Sequence, residues 1–167
     1  GTPYSALFIA DGKRARVIGF SEQLSVAVGD APYCYGGAVG PTALPHAMSA
    51  DIAAKLDSLV RLAGLVGLNS IDFIVSGTEY FVLEINPRPS ATMDLYDADC
   101  PGGLLVWHLQ ACSGELVQTP LRTHNPRGHA LAYAQRAGQV PGDFIWPNWC
   151  SDLEQPGALL AAQTPVC

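Results

Sequence analysis

The hydrophobic pattern is clearest in two neighbouring apolar runs, each interrupted by a single carboxylate. Ile71–Val75 and Tyr80–Ile85 are rich in β-branched and aromatic residues, and Ser76-Gly77-Thr78-Glu79 between them is a turn sequence. The pattern predicts a β-hairpin. Side chains alternate across a strand, so Glu84 and Asn86 share one face and flank Ile85, and pairing through the turn returns Asp72 to the vicinity of Glu84. A second hairpin is predicted from Tyr4–Ala10, the turn signal Asp11-Gly12, and a returning strand from Arg14 to Phe20. Between the hairpins, Ile52, Leu56, Leu59, Val60, Ala63 and Val66 recur every three to four residues. This predicts a helix from Ser49 to Val66, with Ser49 as N-cap, Asp51 in the first turn and Gly67 just past its end. Its apolar stripe reads as core.

A second helix is predicted over Gly102–Cys112, with Asp99 as N-cap, Pro101 in the first turn and Gly114 as its stop. Leu104 and Trp107 would face inward, and His108 reads as a partly buried, hydrogen-bonded histidine. Residues 122–129 (RTHNPRGH) form a polar loop, His129–Arg136 reads as a strand, and Trp146–Cys167 is irregular, with Pro147, Pro156, Gly157 and Pro165. The glycine-rich stretch Tyr33–Pro41 has two readings. It lets backbone approach a ligand, or it is a bulged strand and turn; it lacks the spacing of a phosphate-binding loop. Asn86-Pro87-Arg88 is echoed at Asn125-Pro126-Arg127, which is too short for a repeat. The elements together predict an α+β fold: an antiparallel sheet with flanking helices.

Composition sharpens this picture. Charged residues make up 14% of the 167 positions and hydrophobic residues 49%, against about 25% charged in ordinary domains. No apolar run reaches the roughly 18 residues of a membrane span, and no signal-peptide pattern opens the sequence. The excess apolar surface is expected to be covered by further chain or by a second copy in a homodimer. A net charge of -6 without a basic stripe argues against nucleic acid as a partner. Cys34, Cys100, Cys112, Cys150 and Cys167 are odd in number, scattered, and lack zinc-site spacing. They read as reduced thiols of a cytoplasmic protein.

The candidate chemistry lies in the 70–92 hairpin. Asp72, Glu84 and Asn86 are three oxygen donors converging beside Arg88, a set suited to a hard cation such as Mg2+ held together with substrate phosphates. The bland alternative is a half-buried hairpin with surface polar residues. An acidic residue on one strand, Glu-x-Asn on the next and then Pro-Arg resembles the metal-binding hairpin of the ATP-grasp superfamily of ligases. Asp72, twelve residues before Glu84, fills the first position. The Asp-Gly hairpin at residues 11–12, the helix leading into the metal hairpin, and the phrases YGGAVGP and LEINPRPSATMDLYD extend the resemblance.

That resemblance implies the second subdomain of an ATP-grasp fold over residues 1–100, with a helix and C-terminal β-rich extension over 101–167. It implies ATP as co-substrate and Mg2+ (or Mn2+) as cofactor. Asp72 would hold one ion, Glu84 would bridge two and Asn86 would hold the second, while Arg88 would be catalytic, facing the phosphoryl groups. The implied activity is carboxylate–amine ligation through an acyl phosphate, with small-molecule carboxylate and amine substrates. The group resembling carbamoyl-phosphate synthetases further suggests biosynthesis of the one-carbon carriers methanofuran and tetrahydromethanopterin. The alternatives are a carboxylase or carbamoyl-phosphate-type synthetase, or a non-catalytic assembly module with a degenerate site. Thr92, Asp94, Asp97 and Asp99 read either as amine contacts or as loop and cap residues. Arg122 and Arg127 read either as carboxylate binders or as solvated arginines. Lys13 and Lys55 are the only lysines, and neither has a phosphate-binding context. The expectation is therefore that a partner N-terminal half of the same enzyme supplies those contacts, and that this stretch alone is inactive.

Overall fold

A computed structural model describes residues 1–121 and 125–167. The elements are β1 (Thr2–Asp11), β2 (Ala15–Val28), β3 (Ala31–Gly40), α1 (His46–Ala63), β4 (Val66–Ser76), β5 (Glu79–Asn86), two 3-10 turns (Ala91–Leu95 and Asp97–Asp99), α2 (Leu104–Cys112), β6 (Arg127–Ala130), β7 (Gly138–Gln139) and β8 (Leu159–Leu160). The larger sheet has the order β5-β4-β1-β2-β3-β6, and β7 pairs with β8. The β1–β2, β1–β4 and β4–β5 pairs are antiparallel. The predicted α+β class with an antiparallel sheet and flanking helices is the observed one.

The chain forms two compact units. The first comprises Gly1–Gln23 and Ala38–Gly128, the second Leu24–Gly37 and His129–Cys167. In the first unit α1 lies on one face of the sheet. Met48, Ile52, Leu56 and Val60, four residues apart, are its buried positions and pack on Ala6, Phe8, Ala10, Ile71 and Phe73. α2 covers part of the opposite face through Leu104, Trp107 and Ala111. As expected, Leu104 and Trp107 face inward, and His108 accepts a hydrogen bond at Nδ1 from the Leu68 amide (2.9 Å). Among the described residues, no helix is long and apolar enough to cross a membrane.

Helix ends differ from expectation. α1 runs over His46–Ala63, not Ser49–Val66. It stops at Gly64, whose left-handed backbone (φ 66°) lets its amide bond the Val60 carbonyl at 2.8 Å, so Gly64 rather than Gly67 closes the helix. Pro45 stands at the N-cap, and Ser49 bonds back to the His46 carbonyl from inside the helix. Val66 and Gly67 begin β4. α2 starts at Leu104 because Gly102 and Gly103 both have positive φ. The Leu104 amide donates to Asp97 Oδ1 (2.7 Å). Asp99, expected as the cap, is buried and engages Arg127 instead, with Arg127 Nη2 donating to Oδ1 at 3.0 Å. Arg127 is thus engaged within the fold, by Asp99 and by the Leu95 carbonyl at 2.9 Å. Arg122 lies outside the described residues. β2 continues past Phe20 to Val28, and the expected 129–136 strand is reduced to β6 plus a single bridge from Tyr133 to Pro165.

The glycine-rich stretch is a strand, β3. In the second unit, a side chain at Gly37 would overlap the His129 carbonyl, which is why glycine is needed there. His129 Nε2 and the Tyr35 hydroxyl hydrogen-bond at 2.8 Å, and the Tyr133 hydroxyl donates to the Tyr35 carbonyl at 2.7 Å.

In the first unit Tyr96 is fully buried beside Gly19 and Gly40. Its hydroxyl donates to the Phe20 carbonyl (2.8 Å) and lies 2.8 Å from Ser21 Oγ. Burial pushes its phenol up to about 12, so it stays neutral. A Cβ at Gly19 would overlap the Tyr96 ring. Gly19→Ala is therefore expected to lower the unfolding free energy by about 1–3 kcal/mol, read by urea denaturation. A loss below about 0.5 kcal/mol, the scale of an ordinary surface change, would contradict this packing.

Candidate functional site

One row of residues crosses the sheet on the face opposite α1. Ser21 on β2 pairs with Ser5 on β1, Ser5 with Asp72 on β4, and Asp72 with Glu84 on β5. The last step depends on a bulge. Asp72 faces Glu84 but Phe73 faces Val82, so Leu83 is an extra residue in β5. Tyr80, Val82 and Ile85 therefore line one groove with Ile52 and Leu56 of α1, while Glu84 and Asn86 are on the face of Asp72. The hairpin turn itself is Gly77-Thr78, with Gly77 at φ 61°.

Asn86 draws the two carboxylates together. Its Nδ2 donates to Glu84 Oε1 at 2.9 Å and to Asp72 Oδ2 at 3.2 Å. Gln23, at the last position of β2 in this unit, donates from Nε2 to Asp72 Oδ1 at 2.9 Å. Asp72 is half-buried and Glu84 exposed. Burial pushes the Asp72 carboxyl above its ordinary value of 3.8; Ser5 and Gln23 oppose this by hydrogen bonding, and the adjacent Glu84 reinforces it.

This arrangement fits a hard divalent cation. Two carboxylates share one N–H donor, which is the position of partial positive charge that a cation would fill. Asn86 also carries an amide oxygen that can serve as a ligand. Among the described residues there is no cluster of three or more His, Cys, Asp or Glu that could hold a metal, so the donor set here is two carboxylates plus an amide.

Arg88 follows directly. Its amide bonds the Asn86 carbonyl (2.9 Å), and its exposed guanidinium donates to the Pro89 carbonyl (3.2 Å) rather than to either carboxylate. Asp72, Glu84 and Asn86 are thus brought together, while the Arg88 head group stands apart from them. Of the acidic segment, Thr92 is buried and bonded to Ser90, Asp97 and Asp99 have the internal roles given above, and Asp94 stays exposed. Lys55 pairs with Asp51 on α1 and lies over the Tyr80 ring, on the other face of the sheet. The residue missed from sequence is Gln23. Its signal was present in the strand period, which puts Gln23 two residues from Ser21 and on the same face.

The ATP-grasp domain family matches residues 1–92. The chain belongs to the ATP-grasp family. It is 33% identical over 63 residues to the carbamoyl phosphate synthase large chain of Myxococcus xanthus (strain DK1622), covering 35% of this chain and 6% of that one. It is 31% identical over 88 residues to the corresponding chain of Neisseria gonorrhoeae, covering 51% and 8%. The backbone superposes on Kluyveromyces lactis urea carboxylase with a TM-score of 0.76 at 19% identity, over 99% of this chain and 16% of that structure. For the biotin carboxylase–β,γ-ATP complex of Campylobacter jejuni the TM-score is 0.74 at 10% identity, over 98% and 40%. These structures share the ATP-grasp fold with this chain. The matched stretches are a small part of the relatives, which are much longer proteins.

Because the folded state raises the Asp72 pKa, protonated Asp72 contributes stability that is full below 3.8 and is lost as pH rises through the raised value. Asp72→Asn does not titrate. In chelator-treated protein, the melting temperature of the variant minus that of wild type is expected to increase between about pH 3 and pH 7. A difference that stays flat, or shrinks with rising pH, would contradict the assigned shift.

Proposed function

We propose that this chain carries the cation- and phosphate-handling hairpin of an ATP-dependent carboxylate–amine ligase. The observation that carries the reading is the convergence of Asp72, Glu84 and Asn86 on one sheet face, immediately before Arg88. In this reading Asp72, Glu84 and Asn86, the last through its amide oxygen, would hold the Mg2+ or Mn2+ ions, with Glu84 shared between two of them. Such ions, when bound, would supply positive charge to offset the phosphate oxygens of ATP. A carboxylate oxygen of the substrate attacks the γ-phosphorus, the bond to ADP breaks, and an acyl phosphate results. The amine nitrogen then attacks the acyl carbon, inorganic phosphate leaves, and the amine loses a proton.

The chain's own residues act by position and charge. Asp72 and Glu84 fix where the polyphosphate is held. Arg88, on a short turn beyond them, turns its guanidinium from the Pro89 carbonyl to the transferring phosphoryl group and the acyl phosphate. The adenine and phosphate-lysine contacts belong to further chain of the same enzyme, and this stretch alone is inactive in this reading.

A second reading is a carboxylase or carbamoyl-phosphate-type synthetase. It is favoured by the carbamoyl phosphate synthase relatives and by the urea carboxylase and biotin carboxylase fold. The two differ in the carboxylate phosphorylated: an organic acid in the first, bicarbonate in the second. A place in methanofuran or tetrahydromethanopterin biosynthesis is the narrower form of the first reading.

The test is ADP and phosphate release by the full-length enzyme with Mg-ATP. The panel offers glutamate and other amino acids with amines, and bicarbonate with ammonia or glutamine. Release requiring an organic acid and an amine supports the ligase; release requiring bicarbonate selects the second reading. Glu84→Ala is expected to reduce turnover by at least about 100-fold. Wild-type turnover in that variant would overturn the assignment of Glu84.

A further inference from the structure

We infer that Gln23 is a positioning residue for the cation site, acting through Asp72. The inference rests on the metal-binding reading proposed above and adds a residue on a different strand to it. Gln23 is on β2 and Asp72 on β4, with β1 between them in the sheet order. Adjacent strands lie about 4.8 Å apart, so the side chain must reach across roughly two strand spacings. Two features allow this. Gln23 lies two residues along β2 from Ser21 and approaches diagonally, and Ser5, the β1 residue opposite both Ser21 and Asp72, is small and buried, which leaves that path clear. Glutamine has one methylene more than asparagine, and its amide arrives 2.9 Å from Asp72 Oδ1.

The bond divides the labour of the Asp72 carboxylate. Oδ1 is tied toward β2 by Gln23, which leaves Oδ2 turned toward Asn86 and Glu84, where Asn86 Nδ2 now meets it. A cation entering between Asp72 and Glu84 replaces the Asn86 N–H, since the Asn86 side chain also offers an oxygen. It has no need to replace the Gln23 N–H, which is on the far oxygen. Gln23 therefore keeps the Asp72 rotamer fixed in both the empty and the loaded site. Hydrogen-bond partners of metal ligands have this role in metal centres generally, and removing one costs about 10–100-fold in metal affinity.

The experiment uses Mn2+ as the probe, with free Mn2+ followed by electron paramagnetic resonance during titration of the purified chain. Gln23→Met keeps the length and removes the donor; Gln23→Asn keeps the donor and removes the reach. Both are expected to raise the Mn2+ dissociation constant by about 10–100-fold, with the metal-free melting temperature close to that of wild type. In an Asp72→Ala background, Gln23→Met is expected to add no further loss, because its target is gone. Wild-type Mn2+ affinity in Gln23→Met would overturn the inference while leaving the metal site standing. So would a further loss in the Asp72→Ala background, which would make Gln23 a ligand in its own right. No Mn2+ binding by the wild-type chain with or without ATP present, with its fold verified by circular dichroism, would overturn the metal reading and this inference with it.

Discussion

The site depends on one extra residue. Along β5 from the turn, Tyr80 and Val82 face α1; strict alternation would send Glu84 to that same face, among Ile52 and Leu56. Leu83 bulges out of the ladder and shifts the phase by one. Glu84 then stands opposite Asp72, and Asn86 opposite Ser70, while Ile85 returns to the α1 side opposite Ile71. The bulge thus satisfies two demands that regular pairing would set against each other: apolar contact with the helix at both ends of β5, and a carboxylate on the opposite surface. Regular pairing in the register of Tyr80 and Val82 would bury Glu84 against hydrocarbon and put Ile85 on the polar face, whereas a one-residue slip of the whole strand would put Tyr80 and Val82 there instead.

Everything around the row makes that surface rigid and small. β1 is buried almost throughout, from Ser5 to Ala10, and pairs along its full length with β4. α1 holds one side with Met48, Ile52, Leu56 and Val60 on a single buried face, and α2 holds part of the other with Trp107, whose indole N–H donates to the Pro101 carbonyl at 2.9 Å. Arg16 stacks over that indole, 5.0 Å from the ring centroid, and also bonds the Val117 and Thr119 carbonyls. The segment after Arg88 is held in the same manner. Tyr96 is anchored under β2, Asp97 caps α2, and Asp99 is neutralised by Arg127. Its acidic residues are thereby largely spent on structure, which leaves Asp72 and Glu84 as the paired charges on the site's face.

Much of this is written in short-range pattern. Ser76-Gly77-Thr78-Glu79 between two β-rich runs is enough to bring Asp72 near Glu84, and the stripe from Ile52 to Val60 is enough to name a core helix. The errors arise where two local signals compete. Ser49 and Asp99 are good caps by residue type, but Pro45 begins α1 earlier, and Asp99 is taken by Arg127 from 28 positions away. Gly64 and Gly67 are both plausible terminators, and only the Val60 carbonyl decides between them. The bulge at Leu83 has no local signature, and the strand period gives the face of Gln23 without recording its reach across β1. The bulge is a property of β4 and β5 laid side by side and the reach one of β2, β1 and β4, and sequence spacing within one strand carries no record of either.

β5 is the outermost strand in the sheet order, and Phe81, Val82, Leu83 and Ile85 on it are each at least 42% exposed. An edge of that composition is a template on which another chain's strand could grow into an aggregate. Leu83 interrupts the spacing of amides and carbonyls that such a strand would have to match, and Glu79 and Glu84 add like charge along the rim. The irregularity that aims a carboxylate at its partner therefore also spoils the edge as a seed for intermolecular sheet growth.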